Sequence, residues 1–362
     1  MKYLDEFRDP ELAKLLVARL KKEASRPLRI MEVCGTHTMA IFRNGIRAIL
    51  PEQFELISGP GCPVCVTSAP HLDAFLSLAH RPNTRLAIFG DLFRVPGSKD
   101  SLAEASGRGA KVNIVYSPMD ALILAQKHPE DTVVFLGVGF ETTTPSIAAT
   151  ILAAKNEKVH NFTVFSTHKL MPPTLMALLD DPDLQLDGLL CPGHVSAIIG
   201  AGAYQPMVDK YKLACVVAGF ETLDLLYGLL LLARQIGEGK PRVENSYGRA
   251  VRWEANGRAE KMVNLIMKPV DSQWRGLGVI GQSGLAIRPE YEDFDAEKRF
   301  NITLPKSPEP KACLCGEILK GIKNPLQCPL FDDHCSPSNP VGPCMVSSEG
   351  TCAAYYKYGR FE

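Results

Sequence analysis

Eight short apolar runs in the first two thirds of the chain constrain its fold more than any other feature. A stretch of helical periodicity follows each run, which is the pattern of βα units around a largely parallel sheet. Several runs are apolar throughout, as expected for strands that helices cover on both faces. The predicted strands are Leu28–Val33, Phe54–Ile57, Arg85–Phe89, Val112–Tyr116, Thr132–Leu136, Phe162–Phe165, Leu186–Leu190 and Ala214–Val217.

Polar or glycine-rich motifs follow these predicted strands, at the points where strands give way to loops. Ligands of parallel sheets gather at the carboxyl ends of the strands. The sequence therefore predicts one cleft that these loops line together. The motifs are CGTHT, GPGCPVC, FGD, GVGFETTT, STHK, CPGH and AGFET.

Three of the motifs recur in the same order at a nearly constant spacing, which indicates an internal duplication. CGTHTM at 34–39 is similar to STHKLM at 166–171, GPGC at 59–62 to CPGH at 191–194, and GDL at 90–92 to GFE at 219–221. We expect an α/β protein with two similar parallel-sheet domains flanking a cleft. The predicted domains are residues 1–120, with CGTHT and CPVC, and residues 121–238, with GFETTT and PGH.

The charge balance and the apolar segments exclude several classes of protein. Forty basic and forty acidic residues give a net charge of zero, so neither nucleic acid nor a membrane surface is an expected partner. The first residues lack a secretory pattern, and the most apolar segment, 213–236, is interrupted by charges. Eleven cysteines, odd in number and clustered, suit metal or redox chemistry in a reducing compartment. We expect a cytoplasmic protein.

The composition changes after residue 238, and we expect a third domain at 239–362. Thiolates crowded together in a reducing compartment indicate a soft metal, either zinc or a [4Fe–4S] cluster. The spacing matches neither a zinc ribbon made of paired Cys-x-x-Cys motifs nor the close cysteine triplets of bacterial ferredoxins. Of the two metals, we expect the iron–sulfur cluster rather than zinc. The cysteines of this domain are Cys313, Cys315, Cys328, Cys335, Cys344 and Cys352.

Cys62 and Cys65 form a Cys-x-x-Cys pair at the point where a strand gives way to a helix. The free N–H groups and the dipole of a helix N-terminus stabilise a thiolate, and two cysteines at this spacing can close a disulfide or chelate a metal. The pair is therefore predicted to have a redox or metal role. The structural alternative is a pair of small apolar residues at a packed turn.

Cys34 lies just past a buried strand and is compatible with three roles: a nucleophile, a metal ligand or a core residue. His37 follows three residues later. A lone histidine at a strand end is often simply hydrogen-bonded, so local sequence leaves its role open.

The GVGFETTT and CPGH motifs supply further candidates. Glu141 follows a buried strand and is expected to have a partner, either a histidine or a bound metal complex. Thr142 and Thr143 are suited to capping a helix or to holding a small anion at its N-terminus. Cys191 is expected in the core, with His194 facing the cleft.

Five signatures together give the chain a family resemblance: CGTHTM at 34–39, GPGCPVC at 59–65, GFETTTP at 139–145, PGHVS at 192–196 and the run CMVSSEGTCAAYYKY at 344–358. In this combination and order the chain resembles the HypD family, the iron–sulfur maturation factors of [NiFe]-hydrogenases. The resemblance implies a scaffold on which the Fe(CN)₂CO group is assembled and reduced before its transfer to the hydrogenase large subunit. It also implies two partners, a HypC-type chaperone and a HypE-type cyanide donor, and a C-terminal [4Fe–4S] domain.

The resemblance also assigns roles to individual residues. Cys34 is expected to hold the transient iron together with a cysteine of the HypC-type chaperone, and Cys62 and Cys65 to form a redox-active dithiol. Contacts to the iron's ligands or control of thiol pKa are expected from His37, Glu141, His194, Thr36, Thr38, Thr142 and Thr143. The cluster is expected on Cys315, Cys328, Cys335 and Cys352, with Cys313 or Cys344 as a replacement for one of them.

Two other classes of function use some of the same residues. A cluster-dependent thiol–disulfide oxidoreductase of the ferredoxin–thioredoxin reductase type needs the dithiol and the cluster, but it has no need of Cys34. A purely structural zinc protein needs only the C-terminal cysteines and leaves the strand-end motifs without a purpose.

Overall fold

The protein is an α/β structure built on two parallel sheets, as a computed structural model describes it for residues 5–359. All eight predicted strands are confirmed, with bounds shifted by at most two residues. The strands are β1 Leu28–Glu32, β2 Phe54–Ser58, β3 Thr84–Ile88, β4 Lys111–Ile114, β5 Thr132–Gly137, β6 Phe162–Ser166, β7 Gly188–Pro192, β8 Ala214–Ala218, β9 Val243–Asn245, β10 Met267–Trp274 and β11 Gly278–Ile287.

Helices connect the parallel strands, and capping residues start many of them. Asp9 accepts backbone hydrogen bonds at the first helix, and Ser101 and Ser117 form capping boxes with Glu104 and Asp120. The helices are α1 Pro10–Glu23, α2 Gly35–Arg43, α3 Ile46–Ile49, α4 Ala69–Ala79, α5 Leu102–Gly107, α6 Pro118–Lys127, α7 Thr144–Asn156, α8 Met171–Leu179, α9 Gly193–Ile199, α10 Gln205–Tyr211, α11 Thr222–Glu238, α12 Gly257–Ile266, α13 Ala296–Arg299, α14 Cys315–Leu319, α15 Pro343–Val346 and α16 Thr351–Ala354.

The first sheet has the strand order β2-β1-β7-β8-β9, and the second has the order β4-β3-β5-β6. Every pairing within these two sheets is parallel; Met31 of β1, for example, lies between Ile57 and Leu189. The chain passes from the first sheet to the second after β2 and returns before β7. The predicted domain boundary at residue 120 therefore does not separate the two sheets, because each sheet combines strands from before and after that position.

The apolar segment at 213–236 illustrates how helices cover the sheets. It forms β8 and α11, and Leu225, Leu229 and Leu232 of α11 are fully buried against the first sheet. Burial of this face contributes about 25 cal/mol for each Å² of apolar surface removed from water. Within residues 5–359, no helix is both long enough and apolar enough to cross a membrane.

The chain after residue 238 packs on both sheets, whereas the sequence predicted a separate module. β9 extends the first sheet, and Met267, Leu285 and Ile287 of the β10–β11 hairpin lie in the core of the second. The hairpin also carries the buried Trp274, whose Nε1 donates to Ser283 Oγ at 2.8 Å. Apolar burial is non-directional, so this region's composition did not reveal which surface it covers.

Candidate functional site

A cavity of about 230 Å³ lies where carboxyl-end loops of both sheets meet. The loops after β1, β2, β3, β5 and β7 all contribute to its wall, together with one residue from near the C-terminus. Among its lining residues are Cys34, Thr36, Gly61, Asp91, Thr142, Thr143, His194 and Glu349. The cleft predicted from the strand-end motifs is therefore present, and it brings Cys34 together with four of the other proposed site residues.

Cys34 precedes α2 and is buried in the wall of this cavity. Gly61 allows the close approach that places it there: Gly35 N donates to Gly61 O at 2.9 Å, and a Cβ on Gly61 would overlap the Cys34 backbone. Burial and the carboxylate of Glu349 raise the pKa of Cys34 to about 12, against hydrogen bonds from backbone N–H groups of the first turn. The free thiol is therefore neutral at pH 7.

Cys62, the residue after Gly61, forms a disulfide with Cys65. Both are buried, with exposed fractions of 4% and 1%. Cys65 N donates to Cys62 Sγ at 3.1 Å, and Cys62 Sγ lies 3.4 Å from Ser347 Oγ. The disulfide therefore begins one residue after Gly61, which contacts the Cys34 backbone, and its Cys62 sulfur lies against a C-terminal serine.

The segment Ser347-Ser348-Glu349 completes the site, and reasoning from the sequence missed it. Ser347 Oγ and Ser348 Oγ both donate to Asp91 Oδ2 at 3.0 Å, and Thr36 Oγ1 donates to Glu349 Oε1 at 2.6 Å. Burial raises the pKa of Glu349, the Thr36 hydroxyl lowers it, and the charge of Asp91 raises it. The SSEG letters lie within one of the family signatures, which was the available signal.

His37 and Thr38 lie behind the cavity wall. The His37 ring is fully buried, and its Nε2 donates to the carbonyl oxygens of Ala218 at 3.2 Å and Gly219 at 3.0 Å. Burial lowers the pKa of His37 to about 4, so the ring is neutral at pH 7. Thr38 Oγ1 donates to Glu32 Oε1 at 2.6 Å. Both side chains position α2 against the first sheet.

Glu141 has a backbone partner, whereas the sequence predicted a histidine or a metal complex. Its Oε1 accepts from Met171 N at 2.7 Å, and burial raises its pKa to about 7. Thr142 and Thr143 of the same motif line the cavity. Glu141 thus joins the loop after β5 to the start of α8, while its neighbours form the wall.

His194 lies at the exposed side of the cavity and stacks on Phe220 with 4.0 Å between the ring centroids. Partial burial lowers its pKa. Cys191 is fully buried in the core, as the sequence predicted, and its neighbour there is Cys215. The CPGH motif therefore contributes one polar side chain to the cleft and one thiol to the packing beneath it.

The six C-terminal cysteines form one group against the same end of the molecule. Cys315 Sγ lies 3.4 Å from Cys344 Sγ, and both are buried. Burial raises the pKa of Cys352, and the charges of Cys315, Cys313, Cys335 and Cys328 raise it further, which places all of them within electrostatic reach of one another. Cys344 is three residues from Ser347, the neighbour of the disulfide.

This group suits a metal or an iron–sulfur cluster. It offers more than four thiols, the ligands that soft metals and iron–sulfur clusters take. A cation, Arg275, is buried beside them, and its Nε has no hydrogen-bond partner within residues 5–359. An orphaned buried donor beside a group of thiols is expected where an acceptor such as a thiolate or sulfide belongs.

Comparison with known proteins gives matches along the whole chain. A model of the family described as "HypD: Hydrogenase formation hypA family" matches residues 11–359. A protein named hydrogenase maturation factor HypD from Azotobacter vinelandii is 49% identical, covering 99% of this chain and 97% of that protein. The protein of the same name from Escherichia coli K12 is 46% identical, covering 100% and 99%. That from Cupriavidus necator H16 is 45% identical, covering 100% and 98%.

Proposed function

The chain belongs to the HypD family of hydrogenase maturation factors, and from that premise we propose that it is the scaffold on which the Fe(CN)₂CO group of a [NiFe] active site is assembled and reduced. The observation that carries the proposal is the position of Cys34: it is a buried thiol in the wall of a cavity, and its backbone contacts Gly61, the residue before a buried disulfide. Iron with cyanide and carbonyl ligands favours soft thiolate donors.

Cys34 is the proposed ligand of this iron, which is the cargo of the scaffold. Its thiol is protonated without iron because burial and Glu349 raise its pKa to about 12. Coordination deprotonates a thiol outright, so loading of iron releases a proton from Cys34 and is favoured at higher pH. A second thiolate comes from a HypC-type chaperone, whose cysteine would enter from the exposed side of the cavity beside His194.

The other cavity residues hold the ligands of the iron and keep out water. Thr142 offers a hydroxyl group, and His194 offers a ring nitrogen, to cyanide nitrogen atoms delivered by a HypE-type donor. The hydroxyl groups of Thr36 and Thr143 already donate to Glu349 Oε1 and Phe140 O, so these two residues shape the wall around the ligands. Phe89 and other apolar residues form much of the rest of the wall, together with Asp91 and Glu349. The completed group would then pass to the hydrogenase large subunit.

Cys62 and Cys65 are the proposed two-electron store of the site. Reduction of their disulfide takes two electrons and two protons and gives two thiols, and oxidation returns them. A low-potential one-electron carrier of the ferredoxin class is the external donor. A bound [4Fe–4S] cluster would supply single electrons between that carrier and the disulfide.

The cluster ligands are four of the six C-terminal cysteines. We retain Cys315, Cys328, Cys335 and Cys352 as the proposed set. Cys344 is the first candidate to replace one of them, since its sulfur contacts that of Cys315.

The burial of the disulfide argues against a general thiol–disulfide oxidoreductase. A protein thiol must reach a sulfur in line to exchange with it, and neither Cys62 nor Cys65 is exposed by more than 4%. Electron transfer to the disulfide does not require such direct access to its sulfur atoms.

Infrared spectroscopy of the protein purified with its HypC-type partner tests the proposal. The wild-type complex is expected to show cyanide and carbonyl stretching bands, and Cys34→Ala is expected to lose them. Cys191→Ala is the matched control, because it removes an equally buried thiol that lies in the core away from the cavity. Bands of wild-type intensity per mole of the Cys34→Ala complex would contradict the assignment.

A further inference from the structure

Arg275 is a buried cation that the proposed function does not yet use. It follows β10 at the turn of the β10–β11 hairpin, and only 3% of its side chain is exposed. Its Nη2 pairs with Glu309 Oε2 at 2.9 Å, while its Nε has no partner within the described part of the chain. A buried guanidinium with one partly exposed carboxylate is incompletely satisfied, which is costly unless another acceptor is near.

The surroundings of Arg275 identify that acceptor as the cysteine group. Gly276 packs against Gly316 so closely that a Cβ on either residue would crowd the other's backbone, and Gly316 directly follows Cys315. On the other side, a Cβ on Gly342 would lie 3.3 Å from Arg275 Nη2, and Gly342 is two residues before Cys344. The guanidinium thus lies between the segments that carry two of the cysteines.

The backbone of the same residue is attached to the disulfide segment. Arg275 N donates to Val66 O at 2.8 Å, and Trp274 forms a bridge with Thr67. Val66 directly follows Cys65. The hairpin turn therefore fixes the position of the guanidinium relative to both the cysteine group and the dithiol.

We propose that Arg275 is a positioning residue whose buried positive charge raises the reduction potential of the cluster bound by the neighbouring cysteines. The inference rests on the proposed function, which puts a cluster there. A cluster held by four thiolates carries net negative charge, and reduction by a one-electron carrier adds one electron without making or breaking a bond. A cation held at short range in a poorly solvated site stabilises the reduced form more than the oxidised form. Glu309 opposes this effect because it offsets part of the charge.

The pair gives an experiment with a predicted sign for each member. Redox titration of the purified protein, followed by electron paramagnetic resonance of the reduced cluster, measures the potential directly. Arg275→Gln is expected to lower the equilibrium constant for reduction about tenfold or more, which is about 59 mV for one electron. Glu309→Gln is expected to shift the potential the opposite way and by less, since Glu309 is 38% exposed and partly screened by water.

Lys311→Gln is the matched control. It removes a positive charge only two residues from Cys313, but Lys311 is exposed. Water and salt screen such a charge, so its potential is expected to stay at the wild-type value.

The outcomes separate this inference from the function on which it rests. If Arg275→Gln holds a cluster at the wild-type potential, the inference is overturned and the scaffold function stands. If Arg275→Gln does not assemble a cluster, Glu309→Gln decides: a raised potential supports the role of Arg275, and an unchanged or lowered potential overturns it. If the wild-type protein reconstituted with iron and sulfide holds no cluster, both proposals fail.

Discussion

The CGTHT loop after β1 and the STHK loop after β6 have similar sequences and opposite surroundings. The first is open to the cavity, where Cys34 and Thr36 line the wall. The second is covered by the β10–β11 hairpin: Lys169 pairs with Gly284 in a bridge, and its Nζ donates to Ser272 Oγ at 2.5 Å and Gln273 O at 2.9 Å.

The two histidines of these loops show what the similarity preserves. His37 donates from Nε2 to two carbonyls at the carboxyl end of β8, whereas His168 Nδ1 lies 2.9 Å from Ser166 Oγ. Burial lowers the pKa of both, to about 4 and about 3. A strand-end motif therefore fixes a buried neutral histidine in each loop, and the element packed above the loop decides whether the loop opens to the cavity.

Among the substitutions that test this comparison, Lys169→Ala is expected to change the free energy of unfolding most. The covered loop is structural, so the change should cost about 3 kcal/mol of unfolding free energy through a new cavity and two unsatisfied hydrogen-bond partners. Denaturant unfolding measures the loss, with the exposed Lys127→Ala as a control that should change little. Cyanide and carbonyl bands per folded molecule should be unchanged; their disappearance from folded protein would give the covered loop a role in chemistry.

The second largest effect is a pH dependence at Glu141, which joins the loop after β5 to Met171, the first residue of the helix after the covered loop. Burial raises its pKa from 4.5 to about 7, so the folded state holds a proton that the unfolded state releases between these values. Glu141 therefore destabilises the protein progressively as pH rises through that window. The free energy of unfolding of Glu141→Gln relative to wild type should increase by about 2.5 kcal/mol between pH 5 and pH 8.

Unfolding at these two pH values measures the change for Glu141→Gln. Glutamine keeps the acceptor for Met171 N, so the hydrogen bond itself should not contribute. A relative stability that is flat with pH, or that falls as pH rises, would show that the carboxyl ionises normally in the folded protein.

The smallest expected change in unfolding free energy comes from the equivalent threonines of the two loops. Thr36→Val removes the 2.6 Å hydrogen bond to Glu349 at the cavity wall and should cost about 1 kcal/mol. Thr167→Val removes a hydroxyl that lies 3.3 Å from Gly137 O, and should cost about half as much because that bond is longer. Thermal or denaturant unfolding ranks the two. An equal or reversed ranking would mean that Thr36 does not fasten the C-terminal segment to the open loop.

Much of the fold followed from local patterns, and some of the site did not. The eight apolar runs gave the strands, and Cys191 was correctly predicted in the core. His37 was proposed for the cleft but points behind it, because its hydrogen-bond acceptors come from residues 181 and 182 positions away. Asp91 and Glu349 were missed as site residues because their partners are even more distant in sequence, by 256 and 257 positions for Asp91 and by 313 for Glu349.

The sequence by itself determined the strands, the reactive motifs at their carboxyl ends and the supply of thiols near the C-terminus. Periodicity and turn chemistry are local properties, so short segments of the sequence are enough to recognise them. The tertiary structure alone decided which strands share a sheet, which of two similar loops stays open, and that Arg275 lies against the cysteines. Those outcomes depend on packing between distant segments, and apolar burial carries no information about the partner that provides it.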